Sequence, residues 1–407
     1  MSRADGSVSQ NYSRCMDIAA SKDRLIAEVD QRAEMLLDAS HRIHDNPELG
    51  YEETYAHDLL TGILQDEGLD VEPHAFGLTT AFAARAGTTG PTIAVCCEYD
   101  ALPTIGHACG HNIIAAAGLG AGLAAAALAN ELGGRVLILG TPAEEGGGGK
   151  VRMIANGAFD GVDAAVMVHP AGAELTSMSV IAVQQLLVTY HGEPAHAAAF
   201  PHKGRNALDA AVLGYMNIAA LRQHIRPEER VHGIFTEAGD QPNIVPFRAA
   251  SRWYVRAGSL KRLEPLKTRV LACLQAGADA AGCTMDVEWK DLVYADMRDN
   301  VPMIDLYALN ATALGRIPED PTASLAVVGS TDMGNVSYVV PSIHPMIKVA
   351  PAHISIHTPE FAEYAGGPRG DEAVLDGAKA LAMTIADLWL QPGALEAATE
   401  AFRDESS

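Results

Sequence analysis

Three apolar segments of the sequence are each followed at once by residues that can bind a metal ion or transfer a proton. The polar residues that follow these segments are Glu98 and Asp100, Glu144 and Glu145, and His169. A short apolar run is typical of a strand buried on both faces, and ligands bind at the carboxyl ends of such strands in open α/β sheets. We therefore expect these five side chains to converge at one edge of a sheet.

Two further candidate ligands, Cys109 and His111, lie in a glycine-rich turn between the first two segments. They are two residues apart, so both side chains can face one point. A thiolate and an imidazole suit Zn²⁺ or a neighbouring transition ion. Glu145 and His169 would add a carboxylate and a second imidazole from neighbouring strands. These residue types predict a zinc site.

The adjacent glutamates predict a division of roles, because two neighbouring side chains cannot both bind one ion comfortably. We expect Glu145 to bind the metal and Glu144 to accept a proton from the attacking water. Asp100 could orient a ligating imidazole through a hydrogen bond. Each residue alone has a simpler interpretation, such as a buried cysteine, a structural histidine or a solvated pair at a helix start. Their grouping at three strand ends favours the metal site.

Three other motifs do not match the patterns they resemble. Residues 146–150 resemble a phosphate-binding loop, but Glu144 stands where the first glycine belongs and Val151 where serine or threonine should follow. The glycines of residues 118–122 lie inside a predicted helix, which argues against a dinucleotide-binding turn. The neighbours at 96 and 97 are cysteines of one predicted strand, so they face opposite sides and do not suit a redox pair.

Composition argues against several classes of function. The chain has 407 residues, of which 48% are hydrophobic, and a formal charge of −22 from 29 Lys+Arg and 51 Asp+Glu. Such an acidic chain repels phosphate backbones and anionic membrane surfaces, so no nucleic-acid or membrane partner is expected. The apolar run 113–130 is too weakly hydrophobic and too short for a membrane span. Six scattered cysteines and the polar first residues predict a soluble, reduced, cytoplasmic protein.

The hydrophobic pattern predicts the elements that position these residues. Helices are expected within 21–65, at 112–132 and at 150–155, and strands at 81–85, 92–97, 135–139 and 164–168. Alternation of strands with helices is typical of α/β proteins with a mostly parallel sheet. The same pattern returns after residue 297 and continues to residue 390.

A different pattern lies between residues 182 and 298. Its segments follow the order β-α-β-β-α-β, with strands near 184–191, 231–236, 252–256 and 284–290 and helices near 206–223 and 260–281. This order predicts a ferredoxin-like α+β domain with helices on one face of an antiparallel sheet. We therefore predict a catalytic domain in two parts, 1–181 and 299–407, with a lid or dimerisation domain at 182–298 inserted between them.

Six segments of the sequence resemble a known family. They are E-Y-D-A-L-P-T-I-G-H-A-C-G-H-N (98–112), G-T-P-A-E-E-G-G-G-G-K (140–150), G-E-P-A-H-A-A-A-F-P (192–201), Q-P-N-I-V-P (241–246), G-S-T-D-M-G-N-V-S (329–337) and I-H-T-P-E-F (356–361). In this order they resemble the dinuclear-zinc aminoacylase/carboxypeptidase superfamily of metallopeptidases, peptidase family M20. Within it they are most similar to the amidohydrolase branch that contains β-alanyl-lysine dipeptidase and p-aminobenzoyl-glutamate hydrolase.

The resemblance implies roles for residues of the catalytic domain. The positions that match the metal ligands are Cys109, His111, Glu145, His169 and His357. Glu144 matches the general base, and Asp100 matches the carboxylate that follows the first strand. Two Zn²⁺ ions per protomer are implied, with Mn²⁺ or Co²⁺ as alternatives. Glu98 stands where the family usually has a histidine, a departure typical of the cysteine-using branch.

One ligand position has two candidates, because His353 lies four residues before His357. Spacing alone does not choose between them. We prefer His357, since His-Thr followed by the aromatic Phe361 matches this branch better.

The resemblance also implies roles in the inserted domain. His196 and Asn243 match residues that help to stabilise the oxyanion, typically across a dimer interface, and Arg256 matches an arginine that grips a substrate carboxylate. Ser330 and Thr331, in the fifth segment, are implied to bind substrate.

A homodimer is implied as well. Four apolar residues of the helix predicted at 206–223 are candidates for its interface, namely Ala210, Ala211, Leu213 and Met216. The alternative is that they pack on the sheet of their own domain.

Together these observations predict a metal-dependent hydrolase that cleaves an amide bond of a small dipeptide or N-acyl amino acid, with water as the nucleophile. The alternative is a non-catalytic binding protein that keeps the fold. It is disfavoured because Glu144 and all the candidate ligands are present.

Overall fold

The structure, a computed structural model, describes residues 5–319 and 328–405. The chain divides into two compact units. The first comprises Met1–Ser179, Met297–Val328 and Asp332–Ser407, and the second comprises Val180–Asp296 and Gly329–Thr331. The predicted boundaries at 182 and 298 lie two residues from those of this division, which also assigns residues 329–331 to the second unit. A lid or dimerisation role for the second unit stays a prediction.

Helices and strands alternate along most of the described chain. The helices are α1 (Asp5–Gln31), α2 (Ala33–Asp45), α3 (Thr54–Asp66), α4 (His111–Leu132), α5 (Gly149–Ala155), α6 (Ala207–Leu221), α7 (Leu260–Ala281), α8 (Val301–Ala313), α9 (Met333–Ser337), α10 (Pro359–Ala365), α11 (Pro368–Leu390) and α12 (Ala394–Glu405). The strands are β1 (Asp70–Pro73), β2 (Phe82–Ala86), β3 (Thr92–Cys97), β4 (Arg135–Gly140), β5 (Ala164–Val166), β6 (His169–Ala171), β7 (Ser179–Val180), β8 (Ala182–His191), β9 (Arg230–Glu237), β10 (Arg248–Ala257), β11 (Thr284–Tyr294), β12 (Val328–Gly329), β13 (Ser342–Ile343) and β14 (Met346–Lys348).

The first unit is built on a six-stranded sheet in the order β1-β2-β4-β3-β5-β13. Strands β4, β3, β5 and β13 are parallel, whereas β1 and β2 pair antiparallel at one edge. The parallel strands are buried on both faces, as their continuous apolar sequences predict. The fold is therefore the predicted α/β type with a mostly parallel sheet.

Helix α4 is the central helix of this unit. Among the described residues it is the one helix long and apolar enough to cross a membrane, but most of it is buried in the protein interior. It is capped by Gly110 before its first residue and by Gly133 after its last, both with positive φ. Gly120 allows close packing, because a Cβ there would lie 2.7 Å from Leu36 and 3.0 Å from Ala378 of α11. Helix α4 is thus a core element that carries His111 at its N-terminus.

One predicted strand is shorter than expected. The apolar pattern predicted a strand over 164–168, but β5 ends at Val166. The backbone continues beside the segment after β13, where the N–H of His169 donates to the carbonyl of Pro345 at 2.9 Å. His169 then opens β6, which pairs in parallel with β14. The prediction was wrong at this end because partners about 180 residues away in the chain decide where the strand stops.

The second unit has the predicted β-α-β-β-α-β order, formed by β8, α6, β9, β10, α7 and β11. Its four strands form an antiparallel sheet in the order β11-β8-β10-β9. Helices α6 and α7 share a core with this sheet that contains Trp253, Leu186 and Leu274. The two helices pack closely, since a Cβ at Gly277 would lie 2.4 Å from the carbonyl of Ala210.

The apolar residues of α6 divide between two environments. Ala210 and Ala211 are buried in the core of their own unit, so the interface predicted for these two residues is wrong and the alternative holds. Leu213 and Met216 remain 41% and 58% exposed. Only the second pair is available to a partner.

Candidate metal centre

The predicted ligands of the first unit lie at the ends of elements that meet at one edge of its sheet. Cys109 and His111 stand at the start of α4, Glu145 follows β4, and His169 opens β6. His357 is brought to the same place by its backbone, whose N–H donates to the carbonyl of Ala108 at 2.8 Å. The structure therefore gathers side chains that are up to 248 positions apart in the sequence.

Three groups of side chains have potential ligand atoms that all lie within 4.8 Å of one another. The groups are Cys109, His111 and His169; Cys109, Glu145 and His357; and Glu98, His111 and Glu144. Sγ of Cys109 is 3.4 Å from Nε2 of His169, and Oε1 of Glu145 is 3.1 Å from Nε2 of His357. Zinc–ligand bonds of about 2.0–2.3 Å place the ligands of a tetrahedral zinc ion about 3.3–3.8 Å apart, close to these two distances. The donor types and their spacing therefore fit a metal ion.

His111 is oriented by Asp100. Its Nδ1 donates to Oδ1 of Asp100 at 3.0 Å, which leaves Nε2 directed toward the other candidate ligands. Burial lowers the pKa of His111, but the nearby Asp100 and Cys109 outweigh burial and raise this pKa well above its ordinary value. Asp100 also accepts the backbone N–H of Glu145 through Oδ2 at 2.8 Å. One buried carboxylate thus orients one candidate ligand and holds the backbone of another.

His169 presents a nitrogen lone pair to the cluster. Its Nδ1 is 2.8 Å from the carbonyl of Pro170, which can only accept, so Nδ1 carries the proton. Burial lowers the pKa of His169 to about 4, and the ring is therefore neutral near pH 7. Nε2, which faces the thiol of Cys109, is then unprotonated and able to bind a metal.

The two adjacent glutamates have different surroundings. Oε1 of Glu145 faces His357, and this contact together with His111 outweighs burial and lowers the pKa of Glu145. Burial and the nearby carboxylates of Glu98 and Glu145 raise the pKa of Glu144 well above its ordinary value. Oε2 of Glu144 lies 3.9 Å from Nε2 of His111. Glu144 is thus placed beside the cluster, with an environment that favours holding a proton.

The choice between the two candidate histidines follows from backbone geometry. His357 has a left-handed backbone with φ of 65°, and Thr358 after it caps α10 by accepting the N–H of Phe361. These contacts place the His357 ring beside Glu145. His353 is exposed and belongs to none of the three groups. The geometry supports His357 as the candidate ligand.

Sequence reasoning missed a buried ion triad beside the cluster. Nζ of Lys150 lies 2.5 Å from Glu98 and 2.6 Å from Asp332, and all three side chains are fully buried. Oε2 of Glu98 faces Nε2 of His111 at 3.5 Å. In the sequence Lys150 lies in a phosphate-loop-like motif, at the start of a predicted helix and in a family segment, and none of these predicts an ion pair. A lysine directly after a glycine-rich turn near two glutamates is the signal that could have suggested an internal ion pair.

Two buried histidines near the cluster were also missed. The ring centroid of His344 is 5.3 Å from that of His169, and the ring of His107 is 6.2 Å from that of His44. Both ring nitrogens of His344 and of His107 have no hydrogen-bond partner within the described part of the chain. Burial lowers the pKa of His107 to about 3 and that of His344 well below its ordinary value. Nothing in their local sequence distinguishes them from structural histidines.

The other five predicted site residues belong to the second unit and form two groups there. His196 is exposed, and its Nδ1 accepts the N–H groups of Ala198 and Ala199. A neutral ring must then carry its proton on Nε2, which makes that atom a donor. The carbonyl of Asn243 accepts the N–H of Ala197, so Asn243 lies next to His196.

The second group is Arg256 with Ser330 and Thr331. Nη1 of Arg256 donates to Oγ of Ser330 at 3.0 Å, and Ser330 donates to the carbonyl of Ile181 at 2.8 Å. Nε of Arg256 donates to Nε2 of His232 at 3.3 Å. Burial lowers the pKa of Arg256. Thr331, the residue after Ser330, is also buried.

Comparison with known proteins assigns the family. A sequence model of Peptidase family M20/M25/M40 matches residues 97–387. The chain belongs to this family. It is 40% identical to the Xaa-Arg dipeptidase of Mus musculus over 408 residues, which cover 96% of this chain and 94% of the relative. It is 34% identical to a p-aminobenzoyl-glutamate hydrolase polypeptide of Escherichia coli (strain K12) over 262 residues, 59% of this chain and 54% of the relative.

Solved structures share the fold. A dinuclear metal binding peptidase of the M20 family from Bacillus subtilis has a TM-score of 0.69 at 18% identity, with 88% of this chain and 99% of that chain covered. An aminobenzoyl-glutamate utilization protein from Klebsiella pneumoniae has a TM-score of 0.71 at 19% identity, with 91% and 99% covered. The predicted fold class and family are thus confirmed.

Family membership and the cluster together define the general activity. This M20-family protein is a metal-dependent hydrolase of amide bonds in small substrates. The prediction of an enzyme is confirmed, and the alternative of a non-catalytic binding protein gains no support.

Proposed function

We propose that this hydrolase is a dipeptidase that releases a C-terminal arginine, or a similar cationic amino acid, from small dipeptides. The catalytic part of the proposal is carried by one observation: Cys109 belongs to two groups of potential ligand atoms, one with His111 and His169 and the other with Glu145 and His357, and Glu144 forms a third group with His111 and Glu98. The substrate part is supported by the Xaa-Arg dipeptidases of Mus musculus and Homo sapiens, each 40% identical to this chain over more than 90% of its length. A formal charge of −22 favours the approach of a cationic substrate.

The first unit would supply the metal ligands and the proton transfer. Cys109, His111, Glu145, His169 and His357 are the proposed ligands, and divalent cations bound by them would polarise the substrate carbonyl and acidify the attacking water. Glu144 is proposed to accept the proton of that water and to pass it to the leaving amine. The raised pKa of Glu144 suits this role, because it makes the carboxylate a stronger base toward the attacking water than an ordinary glutamate.

The residues of the second unit are proposed to act on substrate. Nε2 of His196 is a donor, which suits a developing oxyanion, and Asn243 is adjacent. Arg256, with Ser330 and Thr331, is proposed to bind the substrate carboxylate, since a guanidinium forms two parallel hydrogen bonds with such a group. We expect Arg256→Lys to raise KM at least tenfold with a smaller effect on kcat, measured by steady-state kinetics.

Two zinc ions per chain are proposed as the native metal content. The support is the thiol of Cys109, because a soft thiolate favours zinc over harder ions, and the two candidate groups that share this residue. Mn²⁺ and Co²⁺ remain alternatives. Elemental analysis of purified protein should find close to two zinc atoms per chain, and reconstitution with each of the three metals should rank zinc first in activity.

A homodimer is proposed through the second unit. Strand β9 is an edge of the sheet, and its residues Ile234 and Phe235 are 63% and 39% exposed. The ring of Phe235 lies 5.8 Å from that of Tyr215 on α6, so the apolar surface continues onto the helix that carries Met216. An exposed apolar edge strand pairs readily with a second copy of itself around a twofold axis.

Light scattering after size exclusion tests the dimer. Ile234→Lys should give a monomer, whereas Val287→Lys should leave the dimer intact, because Val287 is 40% exposed on the opposite edge strand β11. A wild-type monomer at micromolar concentration would contradict this part of the proposal.

A cytoplasmic location is proposed because the role of Cys109 requires a reduced thiol. The cysteines whose side chains the structure describes are all free, as expected in a reducing compartment. Cell fractionation should recover the protein with cytoplasmic markers, and recovery with secreted or membrane fractions would contradict this.

A substrate panel tests the dipeptidase proposal directly. The panel contains dipeptides that end in arginine, lysine, alanine and glutamate, N-acetyl amino acids and p-aminobenzoyl-glutamate. We expect the highest kcat/KM for the dipeptides that end in arginine or lysine, and loss of activity after chelation with recovery on addition of zinc. Glu144→Gln, prepared in the same way, is the control for contaminating peptidases. Preference for an N-acetyl amino acid or for p-aminobenzoyl-glutamate would refute the proposed substrate class and leave the hydrolase assignment in place.

A further inference from the structure

The turn that carries Glu144 and Glu145 is held at alternate residues by side chains from outside it. The backbone N–H of Ala143 donates to Oε1 of Glu53 at 2.8 Å, and that of Glu145 donates to Oδ2 of Asp100 at 2.8 Å. The carbonyl of Gly147 accepts the hydroxyl of Tyr51 at 2.5 Å. The backbone at positions 143, 145 and 147 is thus fixed, on both sides of Glu144.

Glu53 is well placed for this task. It is fully buried directly before α3, and its Oε2 accepts the hydroxyl of Thr80 at 2.8 Å. Both carboxylate oxygens are therefore occupied, one by Thr80 and the other by the turn. Burying a carboxylate is costly unless its oxygens are hydrogen-bonded. Breaking the hydrogen bond between Ala143 and Glu53 would therefore leave a buried oxygen without a donor.

The turn needs external support because its backbone is strained. Ala143 has a left-handed conformation with φ of 57°, which is unfavourable for a residue with a Cβ. Tyr51 is also left-handed, with φ of 68°. Such conformations persist only where the surroundings enforce them, and they concentrate at functional sites.

Packing leaves little room for the turn to move. A Cβ at Gly50 would lie 2.9 Å from Cβ of Ala143, and a Cβ at Gly147 would lie 2.5 Å from the same atom and 2.9 Å from the ring of Tyr51. The segment 50–53 therefore contacts the turn through a glycine, a tyrosine hydroxyl and a carboxylate. None of these residues is among the candidate ligands, and neither the candidate roles nor the comparisons assign them a function.

We propose that Tyr51 and Glu53 are positioning residues that hold the Glu144–Glu145 turn in the geometry needed for metal binding and proton transfer. The inference rests on the proposed roles of Glu144 and Glu145. A displacement of about 1 Å at a catalytic group lowers rates on the order of 100-fold, so anchors of the backbone on both sides of Glu144 are expected to affect turnover without contacting substrate.

Three variants with a matched control test the proposal. Glu53→Ala removes the acceptor of the Ala143 N–H, whereas Glu53→Gln keeps an amide oxygen at the same place and should restore function. Tyr51→Phe removes only the hydroxyl that binds Gly147. Tyr55→Phe is the control, since its hydroxyl accepts from the exposed Arg42 and not from the turn.

Hydrogen exchange measured by mass spectrometry reports the anchors without any substrate. Peptides that cover residues 141–149 should exchange at least tenfold faster in Glu53→Ala and in Tyr51→Phe than in the wild type, Glu53→Gln and Tyr55→Phe. Zinc affinity, measured by competition with a chromogenic chelator, should weaken about tenfold in Glu53→Ala. In Glu53→Ala and in Tyr51→Phe, kcat should fall about 10- to 100-fold, while KM should change less than threefold.

The outcomes separate this proposal from the proposed function. If the wild type cleaves none of the substrates, the dipeptidase proposal fails, while exchange and zinc affinity still decide whether the anchors act. If the variants exchange and bind zinc like the wild type, or if faster exchange leaves zinc affinity and kcat unchanged, the positioning role is wrong. If Glu53→Ala does not fold, Tyr51→Phe decides by the same measurements.

Discussion

The ammonium group of Lys150 lies 2.5 Å from Oε1 of Glu98, and neither side chain is exposed to solvent. Asp332 completes the triad, accepting both the ammonium group at 2.6 Å and the backbone N–H of Lys150 at 2.9 Å. The triad joins the end of β3 to the starts of α5 and α9. Through Oε2 of Glu98, which lies 3.5 Å from Nε2 of His111, the triad contacts a candidate metal ligand. The triad therefore links the stability of the sheet edge to the geometry of the candidate metal centre.

Removal of the cation from this triad should be strongly destabilising. Lys150→Met leaves two buried carboxylates without a counter-charge, and we expect the free energy of unfolding to fall by about 3–5 kcal/mol. Lys379→Met is the matched control, because Lys379 forms a partly exposed pair with Asp30, and should cost about 1 kcal/mol or less. Urea denaturation followed by circular dichroism measures both. Equal losses in the two variants would show that the buried triad is no more important than a surface pair.

Glu144→Gln should separate metal binding from turnover. The amide cannot accept the proton of the attacking water, so we expect kcat to fall by about 100-fold to 10,000-fold. Glu144 is not a proposed ligand, so zinc content should remain that of the wild type. Elemental analysis and kinetics on the same preparation make the comparison. Near-normal kcat in this variant would exclude Glu144 as the general base.

A comparison of two histidine variants tests the assigned ligand. His357→Ala should weaken zinc affinity at least tenfold, because the ring of His357 faces Glu145 at 3.1 Å. His353→Ala removes an exposed ring four residues earlier and should leave the affinity unchanged. Isothermal titration of metal-free protein with zinc is the measurement. Weaker binding in His353→Ala alone would reverse the assignment.

The carboxyl of Glu53 should make stability depend on pH. Burial raises the pKa of Glu53 from 4.5 to about 7. Between these two pH values the native state therefore holds a proton that the unfolded state has released. This contribution to stability is complete below about pH 4.5 and is lost as the pH rises to about 7. The size of the shift corresponds to about 3 kcal/mol. In metal-free protein, wild type should lose more stability than Glu53→Gln between pH 5 and pH 8 by urea denaturation, and parallel profiles would contradict the raised pKa.

Local patterns in the sequence predicted the elements and the types of residue at the strand ends. Strand β3 and helix α7 have the predicted bounds, Thr92–Cys97 and Leu260–Ala281, because a continuous apolar run and an amphipathic repeat each depend on neighbours along the chain. Cys96 and Cys97 contribute to different cores on the two faces of β3, as alternation along a strand requires. The residue types after each strand also indicated metal chemistry.

Tertiary structure alone decided the contacts between distant residues. The ring of His357 reaches Glu145 because its backbone binds Ala108, almost 250 residues earlier. The Glu53 carboxylate meets Ala143 across 90 residues, and Lys150 meets Asp332 across 182. Such partners leave no periodic trace in the sequence, since each contact depends on where whole elements pack. The chain's own pattern therefore determined which chemistry was available, and packing determined which side chains stand close enough to perform it.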